Sequence, residues 1–218
     1  INSPELRIVT IEDPIEYEVP GANQVQTRAE IGLTFAGALR STLRQDPDVI
    51  MVGEIRDTET AEIAVRAALT GHLVMSTLHT NSAVNSITRL IDMGVESFLI
   101  ASSLEAVLAQ RLVRRVCTQC RTSYVPPQDL LTQVGISRES IGERKFYYGK
   151  GCPNCNQAGY RGRMGIYEWL RVNEGVRDLI TQKAPTLAIR QKAIEGGMRP
   201  LREDGLRAIF DGLTSIEE

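Results

Sequence analysis

The sequence predicts an α/β protein in which a parallel sheet is flanked by helices. Apolar, β-branched segments alternate over residues 1–113 with segments whose apolar side chains recur at helical spacing, and the connections are short. A cysteine-rich block follows over 114–158, and 159–218 predicts a strand with short helices. We therefore expect three consecutive domains: an α/β core (1–113), a four-cysteine subdomain (114–158) and a C-terminal strand-plus-helix subdomain (159–218).

Three segments of the core are predicted to be buried strands. LRIVTIE (6–12) is apolar and β-branched, and Pro14 and Pro20 exclude a helix directly after it. VIMVGE (49–54) and HLVMSTLH (72–79) have the same apolar character. Their alternation with helical segments favours a parallel sheet.

The helices of the core are predicted from periodicity and capping residues. Residues 34–43 place apolar side chains one turn apart, and Thr58 is a candidate N-cap for a helix that ends at Gly71. A third helix is predicted from residue 80 or 81 to 93, and a fourth over 97–113.

The end of the chain predicts one strand and several helices. GYRGRMGIYEWLRV (159–172) is typical of a turn followed by a strand, and Asn173 is a candidate N-cap for the next helix. The remaining residues predict two or three short helices, separated by Gly-Gly and Pro.

Composition is that of an ordinary globular protein, with 42% hydrophobic residues and a net charge of −2 at pH 7. Residues 1–110 carry −8, residues 111–171 carry +7 and residues 172–218 carry −1, which sets the middle block apart as a module. No apolar run approaches the roughly 20 residues that cross a bilayer, so we expect no direct membrane insertion. The chain begins at Ile1 without a signal-like segment, and we expect it to be a fragment.

All four cysteines fall into two C-x-x-C pairs. Cys117 and Cys120 form the first pair, and Cys152 and Cys155 form the second. Two such pairs complete the tetrahedral sulfur shell that structural Zn²⁺ prefers, and four thiolates leave no position for a catalytic water. Disulfides, a redox C-x-x-C and ordinary buried cysteines are the alternatives, of which disulfides fit poorly with a chain that has no secretory signal.

Basic and aromatic residues near the second pair raise the possibility of nucleic-acid binding. Zinc ribbons with such neighbours bind nucleic acid, and tyrosines and arginines occur together here. Because no basic run dominates the chain, we expect nucleic acid not to be a partner.

Titratable side chains close the three predicted strands of the core. Ligands of open α/β sheets bind beyond the carboxyl ends of strands, so these side chains are expected to converge on one crevice. Carboxylates there suit water-mediated binding of Mg²⁺ and orientation of an attacking water. Any one of them taken alone is more simply a capping or ion-paired residue. The side chains are Glu12 and Asp13, Glu54, and His79.

The lysine that a nucleotide site normally uses is missing. A P-loop reads G-x-x-x-x-G-K-[ST], and none of the four lysines is followed by Ser or Thr.

Four ordered motifs resemble those of the type II secretion and type IV pilus assembly ATPases (GspE/PilB-like). TIEDPIEY (10–17) resembles their aspartate box, and RQDPDVIMVGEIRD (44–57) their Walker B segment, with Gly53-Glu54 in place of Asp-Glu. TGHLVMSTLHTNSA (70–83) resembles their histidine box. The two cysteine pairs followed by GYRGRMGIYE (159–168) resemble the tetracysteine insert of this branch.

The resemblance implies a RecA-like C-terminal ATPase domain and a role for each matching residue. Glu54 is implied as the Walker B acid near Mg²⁺, and Glu12 as the catalytic carboxylate, with Glu16 a weaker candidate. Asp13 and Glu16 are grouped with Glu54 as nucleotide-binding residues. His72 and His79 are implied as the histidines that relate nucleotide state to subunit geometry, and the four cysteines as structural zinc ligands.

The implied machine is a homo-hexamer that hydrolyses ATP to drive protein secretion or pilus assembly. It would lie in the cytoplasm, peripheral on the inner membrane, with an inner-membrane platform protein as its partner. The family's P-loop should precede the aspartate box, so we expect ATP and Mg²⁺ to be used by the intact protein and this fragment alone to be inactive. Two alternatives stay open: a non-enzymatic zinc-bearing interaction module, and a pilus retraction-type ATPase.

Overall fold

The computed structural model describes residues 2–142 and 144–218, so Ile1 of the predicted core and Glu143 lie outside the described residues. The strands are β1 (Ile8–Glu12), β2 (Ala22–Gln26), β3 (Val49–Val52), β4 (Leu73–Ser76), β5 (Ala106–Val116), β6 (Arg121–Tyr124), β7 (Phe146–Gly149) and β8 (Tyr160–Arg171). The helices are α1 (Phe35–Thr42), α2 (Thr58–Leu69), α3 (Ala83–Asp92), α4 (Ser97–Ser103), α5 (Gln128–Gln133), α6 (Arg138–Ile141), α7 (Glu174–Thr181), α8 (Thr186–Glu195) and α9 (Leu201–Phe210).

A four-stranded sheet with the order β2-β1-β3-β4 confirms the predicted parallel sheet. The three predicted strands are present but shorter, so Glu54 and His79 stand in the loops that follow β3 and β4. β2 was not predicted, because ANQVQ has only one β-branched residue and forms a strand through pairing with β1.

One face of this sheet packs against α1 and α2. Ile11, Ile50 and Val52 are fully buried there, and Leu39 of α1 and Ala64 of α2 belong to the same cluster. Side chains two apart on a strand share a face, so this cluster leaves Thr10 and Glu12 on the other face of β1. The alternation of burial therefore decides which strand residues are available for a site.

The helix predicted over 97–113 is wrong in its second half. α4 ends at Ser103, Leu104 is extended, and 106–116 forms β5, which pairs with β8. The apolar residues of this segment fit helical and strand periods alike. Cross-strand pairing with a distant segment decided the outcome, and local periodicity does not encode it.

Side-chain caps explain the starts of α1, α2, α3 and α7. Thr34 and Asn173 accept hydrogen bonds from the backbone N–H three residues on, which confirms the predicted cap at Asn173. The predicted caps at Thr58 and at residue 80 or 81 are wrong: Asp57 and Ser82 are the N-caps, because their backbones are extended and their side chains reach the first turn.

Contacts divide the chain into two compact units, each made of two separate segments. Unit 1 comprises 1–107 and 170–197, and unit 2 comprises 108–169 and 198–218. The three consecutive domains of the sequence analysis remain a prediction. Unit 1 holds the parallel sheet, whereas unit 2 holds the antiparallel β6–β7 pair and a separate core around Leu131 and Phe146. Among the described residues no helix is both long and apolar enough to cross a bilayer.

Candidate functional site

A crevice of about 380 Å³ opens in unit 1 at the carboxyl ends of β1, β3 and β4. The predicted convergence of strand ends is therefore observed, because parallel strands deliver the residues after them to one edge. The carboxylates that line the crevice are Glu12, Asp13, Glu16 and Glu54.

Glu54 is a largely enclosed charged residue of this edge. Its side chain is 13% exposed, and its Oε2 lies 3.1 Å from Nε2 of His79. Arg56 Nη2 donates to Glu54 Oε1. The hydrogen bond from Arg56 is the main cause that lowers the pKa of Glu54; burial opposes it and His79 adds to it. Glu54 is thus held as an anion, which is the state that binds a cation.

Gly53 sets the position of Glu54 through close backbone packing. Its N–H donates to the carbonyl of Ile11 at 2.7 Å, and its carbonyl accepts from Thr77 Oγ1 at 2.6 Å. A Cβ at this position would lie 3.1 Å from the Ile11 carbonyl oxygen, closer than most side chains tolerate. Glycine in place of the acid usual at this position of the motif therefore suits the tight turn out of β3.

Glu12 is held by neutral donors at one carboxylate oxygen. Thr10 Oγ1 donates to Glu12 Oε1 at 2.5 Å, and Gln24 Nε2 donates to the same atom at 2.9 Å. Asp13 and Glu16 also line the crevice, and both are exposed. Four carboxylates around one opening suit a divalent cation, and Mg²⁺ bound largely through water is the ion whose chemistry this donor set fits.

His72 is not brought to this crevice. It precedes β4, at the opposite end of the strand from His79. Its Nδ1 lies 2.9 Å from the carbonyl of Ala67 and 3.1 Å from Thr70 Oγ1. In the described unit His72 binds groups at the C-terminal end of α2, and its predicted role in relating nucleotide state to subunit geometry stays a prediction.

The four cysteines meet in unit 2 as predicted. Their sulfur atoms all lie within 4.8 Å of one another, and Cys117, Cys120, Cys152 and Cys155 are free thiols. Three separations are 3.9, 3.9 and 3.7 Å. A tetrahedral shell with Zn–S of about 2.3 Å has sulfurs about 3.8 Å apart, whereas a disulfide needs about 2.05 Å. The arrangement fits a zinc ion and excludes disulfides within this cluster as it stands.

Backbone N–H groups point at the sulfur of Cys155. The N–H groups of Cys152 and Gly159 each donate to it at 3.3 Å. Burial raises the pKa of Cys155, but these donors outweigh burial and lower it to about 7. The pKa of Cys117 is also lowered, mainly by the backbone N–H of Gln119, whereas burial raises the pKa of Cys120 to about 12. Such N–H donors are the outer shell that orients thiolate ligands.

Sequence reasoning missed several groups that shape the crevice. Gln24, Arg56 and Thr77 all bind residues of the site, yet none was named as a site residue from the sequence. The QVQ spacing of β2, which puts two amides on one face, was the available signal for Gln24. Arg56 stands two residues after Glu54, which in an irregular segment gives no directional information.

A parallel sheet with an acidic crevice at the carboxyl ends of its strands places this chain among the open α/β proteins that bind their ligands at that edge. Among solved structures, the pilus retraction motor PilT with bound ADP is similar to this chain. The likeness has a TM-score of 0.67 and 31% sequence identity, and it covers 97% of this chain and 51% of that chain.

The whole chain, residues 1–218, matches the family described as type II/IV secretion system protein, and it belongs to that family. It is 51% identical, over all of its length, to the type IV pilus assembly ATPase PilB of Thermus thermophilus, and covers 24% of that protein. It is 50% identical to the type II secretion system ATPase E of Vibrio cholerae, again over its whole length, and covers 43% of it. The chain therefore spans less than half of these relatives.

Proposed function

We propose that this chain is part of a RecA-like motor ATPase that powers protein secretion or pilus assembly. In this proposal the chain carries the catalytic carboxylates and the zinc site. The observation that carries the proposal is the meeting of Glu12, Glu54 and the acidic residues 13 and 16 at one crevice, with His79 bonded to Glu54. Relatives at about 50% identity are named as assembly and secretion ATPases, which supports the same activity here.

In this proposal Glu54 and Glu12 have separate roles. Glu54, enclosed and held as an anion, binds Mg²⁺ through water, with Asp13 and Glu16 contributing negative charge toward the ion. Glu12 orients and polarises the water that attacks the γ-phosphate, because it lines the crevice and both of its hydrogen-bond donors bind Oε1, which leaves Oε2 for that water. ATP is the phosphoryl donor, and a Mg²⁺ ion held by these acids would supply neutralisation of the charge that develops on the transferred group.

His79 is proposed to report the nucleotide state. The His79 side chain is 87% exposed and pairs with the Glu54 carboxylate, so a change at the metal site alters a group on the surface. His72 is proposed to act at a different surface of the same subunit, in contact with a neighbouring copy in a homo-hexamer.

The four cysteines are proposed to bind one structural Zn²⁺. Four sulfur ligands leave no position for water, so the ion stabilises unit 2 and takes no part in hydrolysis. This role explains how the loop-rich stretch between β6 and β8 holds a fixed geometry.

We further propose that turnover requires the full-length protein. Residues 1–218 contain no G-x-x-x-x-G-K-[ST] segment, so the β- and γ-phosphates lack their usual lysine within this chain. The intact protein is proposed to act as a homo-hexamer at the cytoplasmic face of the inner membrane, bound to a platform protein that it moves.

The test is phosphate release by the full-length protein carrying Glu12→Gln or Glu54→Gln. Each change keeps size and removes charge, and each is expected to lower kcat at least about tenfold. Glu62→Gln, at an exposed position of α2, is the matched control and should match the parent. Unchanged rates in both acid variants would show that the catalytic assignment of Glu12 and Glu54 is wrong, whereas a parent without turnover would favour a non-enzymatic zinc-bearing interaction module.

A retraction motor is the other candidate, and the likeness to PilT supports it at the level of the fold. The higher identity to assembly and secretion ATPases favours the first assignment. Deleting the gene for the full-length protein separates them: loss of pili or of secreted protein supports assembly or secretion, and excess surface pili support retraction.

A further inference from the structure

We propose that Gln24 is a positioning residue that fixes the Glu12 carboxylate and the acidic loop (residues 13–19) to each other. The inference rests on the proposed function, since it deepens the role given to Glu12. Gln24 lies on β2, the edge strand of the sheet, and takes no direct part in the chemistry.

The first part of the argument is the asymmetry of the bonds to Glu12. Both donors, Thr10 Oγ1 and Gln24 Nε2, bind Oε1. No described residue donates to Oε2, so one oxygen is anchored while the other is available to a water in the crevice. A carboxylate anchored at one oxygen by fixed donors has a defined direction for the second.

The second part is the set of bonds that the same amide makes to the acidic loop. Gln24 Nε2 also donates to the carbonyl of Tyr17 at 3.0 Å, and Gln24 Oε1 accepts from the N–H of Val19 at 2.7 Å. One side chain therefore bonds a carboxylate, a carbonyl and an N–H. The loop that carries Asp13 and Glu16 is held at its far end by the group that anchors Glu12.

Strand register explains why a glutamine at this position reaches all three partners. Gln24 is the register partner of Thr10 in the parallel β1–β2 pair, and Glu12 is two residues further along the same face. Gln26, the register partner of Glu12, instead accepts a long 3.5 Å bond from the Ile15 N–H. An asparagine at 24 is one methylene shorter, and a methionine has equal length without the amide.

The test is steady-state ATP hydrolysis by the full-length protein with Gln24→Met. We expect kcat to fall about tenfold, because the water-orienting oxygen loses its fixed direction, while KM for ATP stays within about twofold. Gln26→Met is the matched control, since it removes from the same strand face an amide whose one long bond goes to the Ile15 N–H and not to Glu12, and its kcat should stay within about twofold of the parent. Gln24→Asn is the second variant, should Gln24→Met fold poorly, and the same loss is expected.

A double-mutant cycle separates positioning from a structural role. In a Glu12→Gln background, Gln24→Met should lower the remaining rate less than about twofold, because the catalytic carboxylate that Gln24 positions is no longer present. A parent-like kcat in both Gln24 variants, or an equal fall in both backgrounds, would overturn the inference and leave the ATPase assignment standing. A full-length parent without ATPase activity would instead overturn the proposed function, and this inference with it.

Discussion

Glu54 Oε2 and His79 Nε2 lie 3.1 Å apart, although 25 positions separate the two residues along the chain. The acid follows β3 and the imidazole follows β4, and these strands are neighbours in the sheet. The Walker B-like and histidine-box-like motifs are therefore one physical unit at the edge of the crevice.

Lowering the pH should reduce the free energy of unfolding as Glu54 becomes protonated, and the size of this loss should depend on Arg56. Because the folded pKa of Glu54 is lowered from its ordinary value of 4.5, its stabilising contribution is present above that value and is lost as pH falls through the folded pKa. Arg56→Met removes the main cause, so the pKa of Glu54 should rise and the loss of stability in acid should shrink.

NMR titration of the Glu54 carboxyl checks this prediction directly, with urea unfolding at pH 7 and pH 3 beside it. Arg66→Met, at an exposed position of α2, is the control and should leave the Glu54 titration unchanged. An identical titration in Arg56→Met and the parent would contradict the assigned cause.

Zinc removal should unfold unit 2 selectively. Structural zinc sites contribute roughly 10 kcal/mol or more to folding, so a strong chelator or Cys152→Ser should abolish the amide protection of β6 and β7. The strands of unit 1 should keep their protection, because the sulfur cluster lies wholly within unit 2. Ser123→Ala on β6 is the control.

Hydrogen exchange followed by mass spectrometry measures the amide protection of β6 and β7, and metal analysis of the same samples measures the zinc content. One zinc per chain is expected in the parent and in Ser123→Ala. A protected β6–β7 pair in metal-free protein would contradict the structural role proposed for the ion.

A side chain at Gly149 should destabilise unit 2. A Cβ there would lie 1.9 Å from the carbonyl oxygen of Gly159, which is backbone and has no rotamer to change. Gly149→Ala is expected to cost about 2 kcal/mol or more and to weaken zinc binding, since Gly159 also donates to Cys155.

Gly205→Ala is the matched control within the same unit. Its Cβ would meet only Ile166 Cδ1 at 3.5 Å, and alanine within α9 should stabilise by about 0.5–1 kcal/mol. Thermal melting and zinc titration of both variants measure the contrast, and equal stability would show that β7 can move away from Gly159.

Glu168 should matter for stability through the start of α9. It is 1% exposed, and its Oε2 accepts from the Leu201 N–H at 3.2 Å, where Pro200 offers no side-chain cap. Glu168→Ala should cost about 1–3 kcal/mol, because the partly buried Leu201 N–H loses its acceptor. Glu203→Ala, exposed in the first turn of α9, should cost only a few tenths. Chemical unfolding measures the free energy of unfolding of both variants, and equal losses in the two would count against the capping role.

Much of unit 1 could be predicted from sequence because local patterns and tertiary contacts agree there. Apolar runs gave β1, β3 and β4, and titratable residues at their ends gave the crevice. The C-x-x-C spacing gave the sulfur cluster, since two residues between cysteines fix both sulfurs on one side.

Other features depended on partners distant in the chain. The polar edge strand β2 exists through pairing with β1, and β5 is a strand because it pairs with β8, more than 40 residues away. Arg56 and Thr77 joined the site only through contacts that no periodicity encodes, and Gln24 reaches Glu12 only because β2 pairs with β1.

The sequence by itself determined the parallel sheet, the acids at its carboxyl edge and the paired cysteines, because alternation, strand ends and short spacings act over a few residues. Only the tertiary structure decided which oxygen of Glu12 is anchored, that Glu54 shares its carboxylate with Arg56 and His79, and that His72 lies at the other end of β4. The physical reason is that strand register and loop closure set side-chain distances, and both arise from pairing between segments far apart in the chain.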